Sequence, residues 1–576
     1  MKQLGAILGA FLFAASSLLA LQARSPSASQ VGANEQASQL PPASHAEEEQ
    51  ESLRKLRARL VAHPQDVQTL ISLAAADVKA GNPAAAEPLL AKAAKLDPKS
   101  PAIRMNWAAV LAHLRRYADA DAALHGVAAP RDPNRSIEYW RITASIALGR
   151  GDAPGAAKDM EAALAVAPQN PGLILATGLA EVEAQEWDKA VQRLAPMFEV
   201  THDPRAGLAL LKAQTETHQD VLPTLAALDA LTLPPAADAA FRVQMGGLLA
   251  SAGMASQAAA EFERAARESP PRAELLYDLA LAQFEAGQPS AALANAERAR
   301  ALTDSAETES LLGDIEEKRG DSLAAVHSYQ AAARLNPNHE QYQMALGLDL
   351  LQHQTYQPAQ AVFQAATQRF PRSVRLRIAL GITDYLLEDY DAAANDLMAA
   401  GNMGKESGVA YQYLGETQLE QPTTPSAVAT SQLCHYADAH PRDGNLLAYC
   451  GAMLARVEHE HGAPAPSPDA MRRLESAARL VPNDAVARCE LGKAYEELKQ
   501  WTVAKQNLEA CARLTPDSPE AHYRLARVCT ALKDMACAQE EVKRHDAAVQ
   551  KVVSTNAQHD RTLRKFLYTM KASDTR

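Results

Sequence analysis

An all-helical protein assembled from one repeated pair of helices is what this sequence predicts, and three observations carry the prediction. Prolines that follow helix-like runs return at a fixed interval: Pro64 and Pro98, Pro337 and Pro371, and Pro482 and Pro516 are each 34 residues apart. Between them lie two apolar stripes at helical spacing, separated by a short polar turn. The composition is heavy in alanine and only 5% aromatic, which suits close-packed helices better than sheets.

The elements follow in chain order. Lys2 precedes an uncharged run from Leu4 to Leu21, and Ala20-Leu21-Gln22-Ala23 offers small residues for cleavage, so residues 1–23 read as a secretory signal peptide. The competing reading is an uncleaved anchor, because the run approaches the ~20 residues that span a bilayer. The first cysteine is Cys434, so no lipid-attachment cysteine follows the run, and no second apolar run is long enough to span. Residues 24–46, rich in Ser, Ala, Gln and Pro, read as a disordered linker. Residues 47–66, with a charged helix from Glu47 to Ala62, form an expected N-terminal cap.

Repeats then fill residues 67–546. Leu491-Gly492 is followed by Tyr495, Ala504, Leu508, Cys511 and Pro516, and Leu346-Gly347 by Leu350, Ala359, Phe363, Ala366 and Pro371. Leu312-Gly313, Leu380-Gly381 and Met245-Gly246 open similar series. Glycine in the first helix and alanine in the second allow close approach, a larger side chain fills the space beside them, and proline stops the second helix. Turns such as Ala80-Gly81-Asn82-Pro83 separate the two helices.

These spaced positions resemble the tetratricopeptide repeat family from about Val67 to His545. The resemblance implies a right-handed α-solenoid superhelix of antiparallel helix pairs. About fourteen units start near Val67, Pro101, Ile137, Pro171, Arg205, Ala239, Ala273, Ala306, Glu340, Val374, Gly408, Gly444, Ala485 and Pro519. The unit from Arg205 is degenerate, with Lys212 where glycine is usual. Turn insertions are expected at Pro422-Thr423-Thr424-Pro425 and from His461 to Pro466. Residues 547–576 are expected to form a C-terminal capping helix and a basic tail that hide the last apolar face.

The six cysteines all lie in the last third. An even count behind a signal segment favours disulfides. Residues equidistant from a turn face each other across a helix pair. The midpoints of Cys434/Cys450, Cys489/Cys511 and Cys529/Cys537 are Arg442, Gln500 and Lys533, each in an expected turn or loop. The alternatives are small core residues, since Cys511 stands where most repeats have alanine, and a metal site, which lacks close C-x-x-C spacing.

Other chemistry is sparse. Basic residues number 57 and acidic residues 69, a net charge of −12, which argues against a nucleic-acid partner. Glu458-His459-Glu460-His461 reads as a solvated segment, and the basic residues from Lys543 to Arg576 as a solvated cap. No phosphate-binding glycine loop or nucleophile elbow occurs, so no catalytic, cofactor or metal residues are assigned. The family lines its groove with first helices. Carried over, this places Tyr277, Leu281, Phe284, Met344, Leu348, Leu351, Ile378, Ile382, Tyr385 and Leu386 as the candidate groove. The expected function is a non-enzymatic scaffold of the bacterial envelope, periplasmic or secreted, that binds a protein or peptide, with membrane contact only if the N-terminal segment is kept. The alternative is an accessory or regulatory subunit of an envelope enzyme or a secretion or polysaccharide-export complex. Roughly 30 residues beyond His545 are too few for a catalytic domain.

Overall fold

The computed structural model of the chain describes residues 43–404, 407–552 and 563–567. The expected signal segment 1–23 lies outside these residues, as does the linker up to residue 42. Among the described residues every regular element is a helix, and no helix is long and apolar enough to cross a membrane. The chain divides into two compact units, Met1–Pro270 and Pro271–Arg576. Each is an α-solenoid of antiparallel helix pairs.

In the first unit the helix Ala43–Ala62 starts earlier than the expected Glu47 and precedes the pair Val67–Lys79 and Pro83–Leu96. Two first helices also start early, Pro133–Gly149 rather than at Ile137 and Pro235–Ser251 rather than at Ala239. Proline at a first helical position needs no hydrogen-bond partner for its nitrogen. At Pro133 the preceding Asp132 caps the helix by accepting from the Arg135 N–H at 3.0 Å. The degenerate pair is Pro204–Glu216 with a short second helix, Leu222–Asp229. Its Lys212 ammonium lies 5.7 Å from the Trp187 ring centroid.

The second unit runs from the pair Ala273–Glu285 and Pro289–Leu302 to the pair Pro519–Ala531 and Met535–Val552. Residues 547–552 are the end of that last helix, so the expected separate cap does not begin at Ala547. No proline or glycine interrupts the chain between Met535 and Val552, and the helix simply continues. Residues 563–567 are helical and pack onto the repeats, and the rest of the expected cap beyond Val552 lies outside the described residues.

Three local devices recur. First, the turn inside a pair places one residue in the left-handed region. That residue is glycine at Gly81, Gly151, Gly287 and Gly320, but Arg115, Gln185, Gln354, Glu388, Lys499 and Lys533 elsewhere. The residue after it donates back across the turn, as Gln500 N does to the Tyr495 carbonyl at 2.9 Å, which closes the end of the first helix. Second, a glycine of the first helix faces a large side chain of the second. A Cβ on Gly492 would lie 2.8 Å from Leu508 Cδ2, one on Gly313 2.6 Å from Tyr329 and one on Gly246 2.8 Å from Phe262.

Third, one position on the second helix receives a polar partner from the first. Nineteen residues earlier, Arg104 donates to the Ala123 carbonyl at 2.8 Å and Arg242 to Glu261 at 2.9 Å. Arg377 donates to Asp396 at 2.7 Å, Arg488 to Asn507 at 3.0 Å, and His522 pairs with Glu541 at 2.6 Å, all at the same separation. Twelve residues earlier, buried Glu181 receives Arg193 at 2.6 Å, and Glu316 receives the Ser328 hydroxyl at 2.7 Å. Polar groups inside an alanine-rich seam need partners, and a charge left unpaired there is costly. These latches therefore tie register to packing in each pair.

Candidate functional site

The ten expected groove residues divide sharply. Met344, Leu348, Leu351, Ile378, Ile382, Tyr385 and Leu386 are buried, and all seven belong to one apolar cluster. The expectation that they line an open groove is corrected for these seven. Apolar residues on a helix packed on both sides are taken into the seams with neighbouring helices, and the helical phase cannot tell seam from face. Tyr277, Leu281 and Phe284 are half-buried and pack against a separate, smaller cluster around Ala280 and Leu312.

What is built on a first helix of the second unit is a different set. Ser407–Glu420 carries Tyr413, Glu416 and Glu420 at helical spacing on one side. The Tyr385 hydroxyl, from Val374–Leu386, donates to Glu420 Oε2 at 2.8 Å. Onto this set packs residue stretch 563–567. The Phe566 ring is fully buried and meets Tyr413 edge-on at 5.9 Å between centroids. The Lys565 ammonium sits 5.6 Å from the Tyr413 centroid and pairs with Glu416. Leu563 and Leu567 join the same apolar cluster, Leu563 buried and Leu567 partly so. The basic residues Arg564 and Lys565 are exposed, as expected, but lie on a stretch whose apolar residues pack onto the repeats. Sequence reasoning assigned no role to Tyr413, Glu416, Leu563 or Phe566. The signal available was Leu563, Phe566 and Leu567 at helical spacing inside a basic tail.

Charged groups nearby are committed to one another. Glu317 pairs with His353 Nε2 at 2.9 Å and accepts from the Gln352 amide. With Asp349 these form a cluster whose ligand atoms lie within 4.8 Å. Burial pushes the Asp384 carboxyl up to about 6, although the Gln360 amide donates to it at 2.7 Å. Burial opposes the charge on Lys493, but Glu490 and Glu520, 2.8 and 2.9 Å away, hold its pKa above the ordinary lysine range. In the Glu-His-Glu-His segment, Glu458 accepts from the Ser467 N–H at 2.8 Å and His461 Nδ1 faces the Val457 carbonyl at 2.7 Å. Both thus serve the loop.

The cysteines complete the site's frame. Cys434 and Cys450 are bonded with Cα atoms 5.0 Å apart, and join the second helix of one pair to the first helix of the next. Cys489–Cys511, at 4.9 Å, and Cys529–Cys537, at 5.9 Å, each join the two helices of one pair. All three separations fall in the range a disulfide needs.

Helix pairs repeated at this spacing and stabilised by neighbour contacts define the helical-repeat class. Family models described as tetratricopeptide repeat match residues 77–146, 344–401 and 489–548. Those three stretches thus carry tetratricopeptide repeats, and proteins built from such repeats are generally non-catalytic interaction scaffolds. No curated protein sequence matches it. Solved structures similar to it include the APC/C hetero-tetramer Cut9-Hcn1, at 15% identity, covering 91% of this chain and 94% of that one with a TM-score of 0.32. Yeast Tom70 matches at 16% identity, covering 81% and 99%, with a TM-score of 0.28. A tetratricopeptide repeat protein from Parabacteroides merdae matches at 19% identity, covering 50% and 99%, with a TM-score of 0.28.

Proposed function

We propose that this protein is a non-enzymatic scaffold of the bacterial envelope that holds a partner protein or peptide on the first helices of its second unit. The observation that carries the reading is the seat around Tyr413. A chain segment about 150 residues away in sequence is helical there, buries an aromatic ring and forms an ion pair. A surface that buries an aromatic ring of a helical segment and pairs with the lysine beside it has the shape and charge to take a peptide. The signal-like N-terminal run and six paired cysteines favour an oxidising compartment outside the cytoplasm. The N-terminal segment is either cleaved or kept as an anchor.

Photo-crosslinking in the native cell tests this. A crosslinking residue at Gln412, one turn before Glu416 on the first helix Ser407–Glu420, is expected to give a discrete adduct in the envelope fraction. One at Leu323, exposed on the second helix Ser322–Leu335, is expected to give none. Recovery of the protein in the cytoplasm, or equal adducts at both positions, would overturn the reading.

A further inference from the structure

The docked segment has a chemistry of its own, and it defines what the seat recognises. We propose that residues 563–567 are an intramolecular ligand, and that the external partner this seat takes is a basic amphipathic helix of the same kind. This proposal rests on the scaffold reading above and names its ligand class.

Each part of the segment meets a matching part of the seat. Phe566 has no exposed surface, and its ring edge faces Tyr413, an arrangement that favours one ring orientation over a generic greasy contact. Lys565 is used twice, by the Tyr413 ring at 5.6 Å and by the Glu416 carboxylate. Glu416 has only 12% of its side chain exposed while Lys565 reaches it from the solvent side at 51%, so the largely desolvated carboxylate disfavours an acidic residue at the ligand position. Glu420 adds a second carboxylate one turn on, held by the Tyr385 hydroxyl. Leu563 and Leu567 flank the ring at spacings of three and one, which puts all three apolar side chains on one stripe.

Charge complementarity points the same way. From Arg561 to Arg576 the sequence has five basic residues, Arg561, Arg564, Lys565, Lys571 and Arg576, and one acidic residue, Asp574, for a net charge of +4. The whole chain carries −12. The ligand class is therefore a helix with an aromatic residue at one position, aliphatic residues three before and one after it, and a lysine or arginine immediately before it. An acidic peptide would set a like charge against the Glu416 carboxylate.

Being tethered, the segment competes with any external ligand. Ten residues separate Val552 from Leu563 along the chain. A segment covalently joined to the protein that binds it meets its seat at an effective concentration on the order of millimolar. A free peptide must displace it, so the resting protein binds external ligand weakly and a partner of higher affinity opens the seat.

The full-length protein and a fluorescein-labelled peptide of the sequence Arg561 to Met570 test this by fluorescence anisotropy. The wild-type chain should bind the peptide weakly. Phe566→Ala, which lies outside the repeats, should release the segment and tighten peptide binding at least about tenfold. Adding Glu416→Lys should abolish that gain, and a peptide carrying Lys565→Glu should restore binding to the Glu416→Lys, Phe566→Ala protein. Such a charge-swap rescue cannot come from unfolding. Hydrogen exchange across 407–420 should rise in Phe566→Ala and fall again with saturating peptide. Equal peptide affinity for wild type and Phe566→Ala, or binding indifferent to Glu416→Lys, would overturn the proposal. If these arms fail while crosslinks at Gln412 persist in the envelope, the scaffold reading stands and the intramolecular ligand falls. If they succeed without envelope crosslinks, the reverse holds.

Discussion

At the residue scale, the fold depends on positions where only a small or unusual backbone fits. Gly492 is one. Its missing Cβ would sit 2.8 Å from Leu508 Cδ2 and 3.2 Å from the Leu508 backbone nitrogen, so a side chain there cannot be absorbed by rotating Leu508 alone. Gly492→Val should destabilise by about 1–3 kcal/mol through overpacking. Urea denaturation of the purified variant measures it, and an unchanged midpoint would remove Gly492 from the helix contact. Lys499 is the opposite case, a residue held where glycine is preferred. It is exposed, with φ of 58°, in the turn between Ala485–Glu497 and Trp501–Leu514. Lys499→Gly relieves the left-handed strain while adding unfolded-state entropy, for a net gain of about 0.5 kcal/mol. A higher urea midpoint is the expected result.

At the element scale, the polar latches set how several pairs close, and a buried carboxyl beside the Arg377–Asp396 latch is pH-sensitive. Asp384 is buried on Val374–Leu386, and Asp396, on Tyr390–Gly401, is drawn towards Arg377. Burial raises the Asp384 carboxyl from its ordinary 3.8 to about 6. The folded state thus binds this proton more readily than the unfolded chain. Between about pH 4 and pH 6 the native state carries the extra proton, so this group's contribution to stability falls as pH rises through that window. Above it the buried charge costs about 1–3 kcal/mol. Asp384→Asn should accordingly raise the urea midpoint at pH 7.5 and leave it nearly unchanged at pH 4. The amide still accepts from Gln360, so the hydrogen bond is not the variable. A stabilisation equal at both pH values would refute the assignment.

At the scale of the whole molecule, cross-links and repeats divide the chain's behaviour. All three disulfides lie between Cys434 and Cys537, inside the second unit, while the first unit has no cysteine. Closed loops of 16, 22 and 8 residues correspond to about 2–3 kcal/mol each by chain entropy. Because a repeat mainly touches its neighbours, this stabilisation stays local. Reduction should therefore accelerate hydrogen exchange from about Ala427 to Val552 and leave residues 67–268 unaffected. Non-reducing peptide mapping of the protein recovered from its native cell should find Cys434–Cys450, Cys489–Cys511 and Cys529–Cys537. Exchange that rises uniformly along the chain would contradict a neighbour-limited architecture.

The sequence by itself determined the helical class, the 34-residue unit and most of its first-helix starts, because those depend on spacing along one chain. Leu-Gly followed by a large residue sixteen positions after the glycine is a local statement, and Gly492 with Leu508 obeys it. The cysteine pairs were legible for the same reason: residues equidistant from a turn in an antiparallel pair meet. Tertiary structure decided which apolar residues are seam and which are surface. Ile382 and Leu351 look like any groove residue by period, yet neighbours on both sides bury them completely. The polar latches at separations of twelve and nineteen were visible only as scattered interruptions of apolar stripes until both helices were in place. The seat at Tyr413 lay furthest from view. Its contact joins Lys565 to Glu416 across 149 residues, and no periodicity within either segment encodes a pairing between them. Only packing, which rewards burial of Phe566 wherever a matching surface exists, could select that partner.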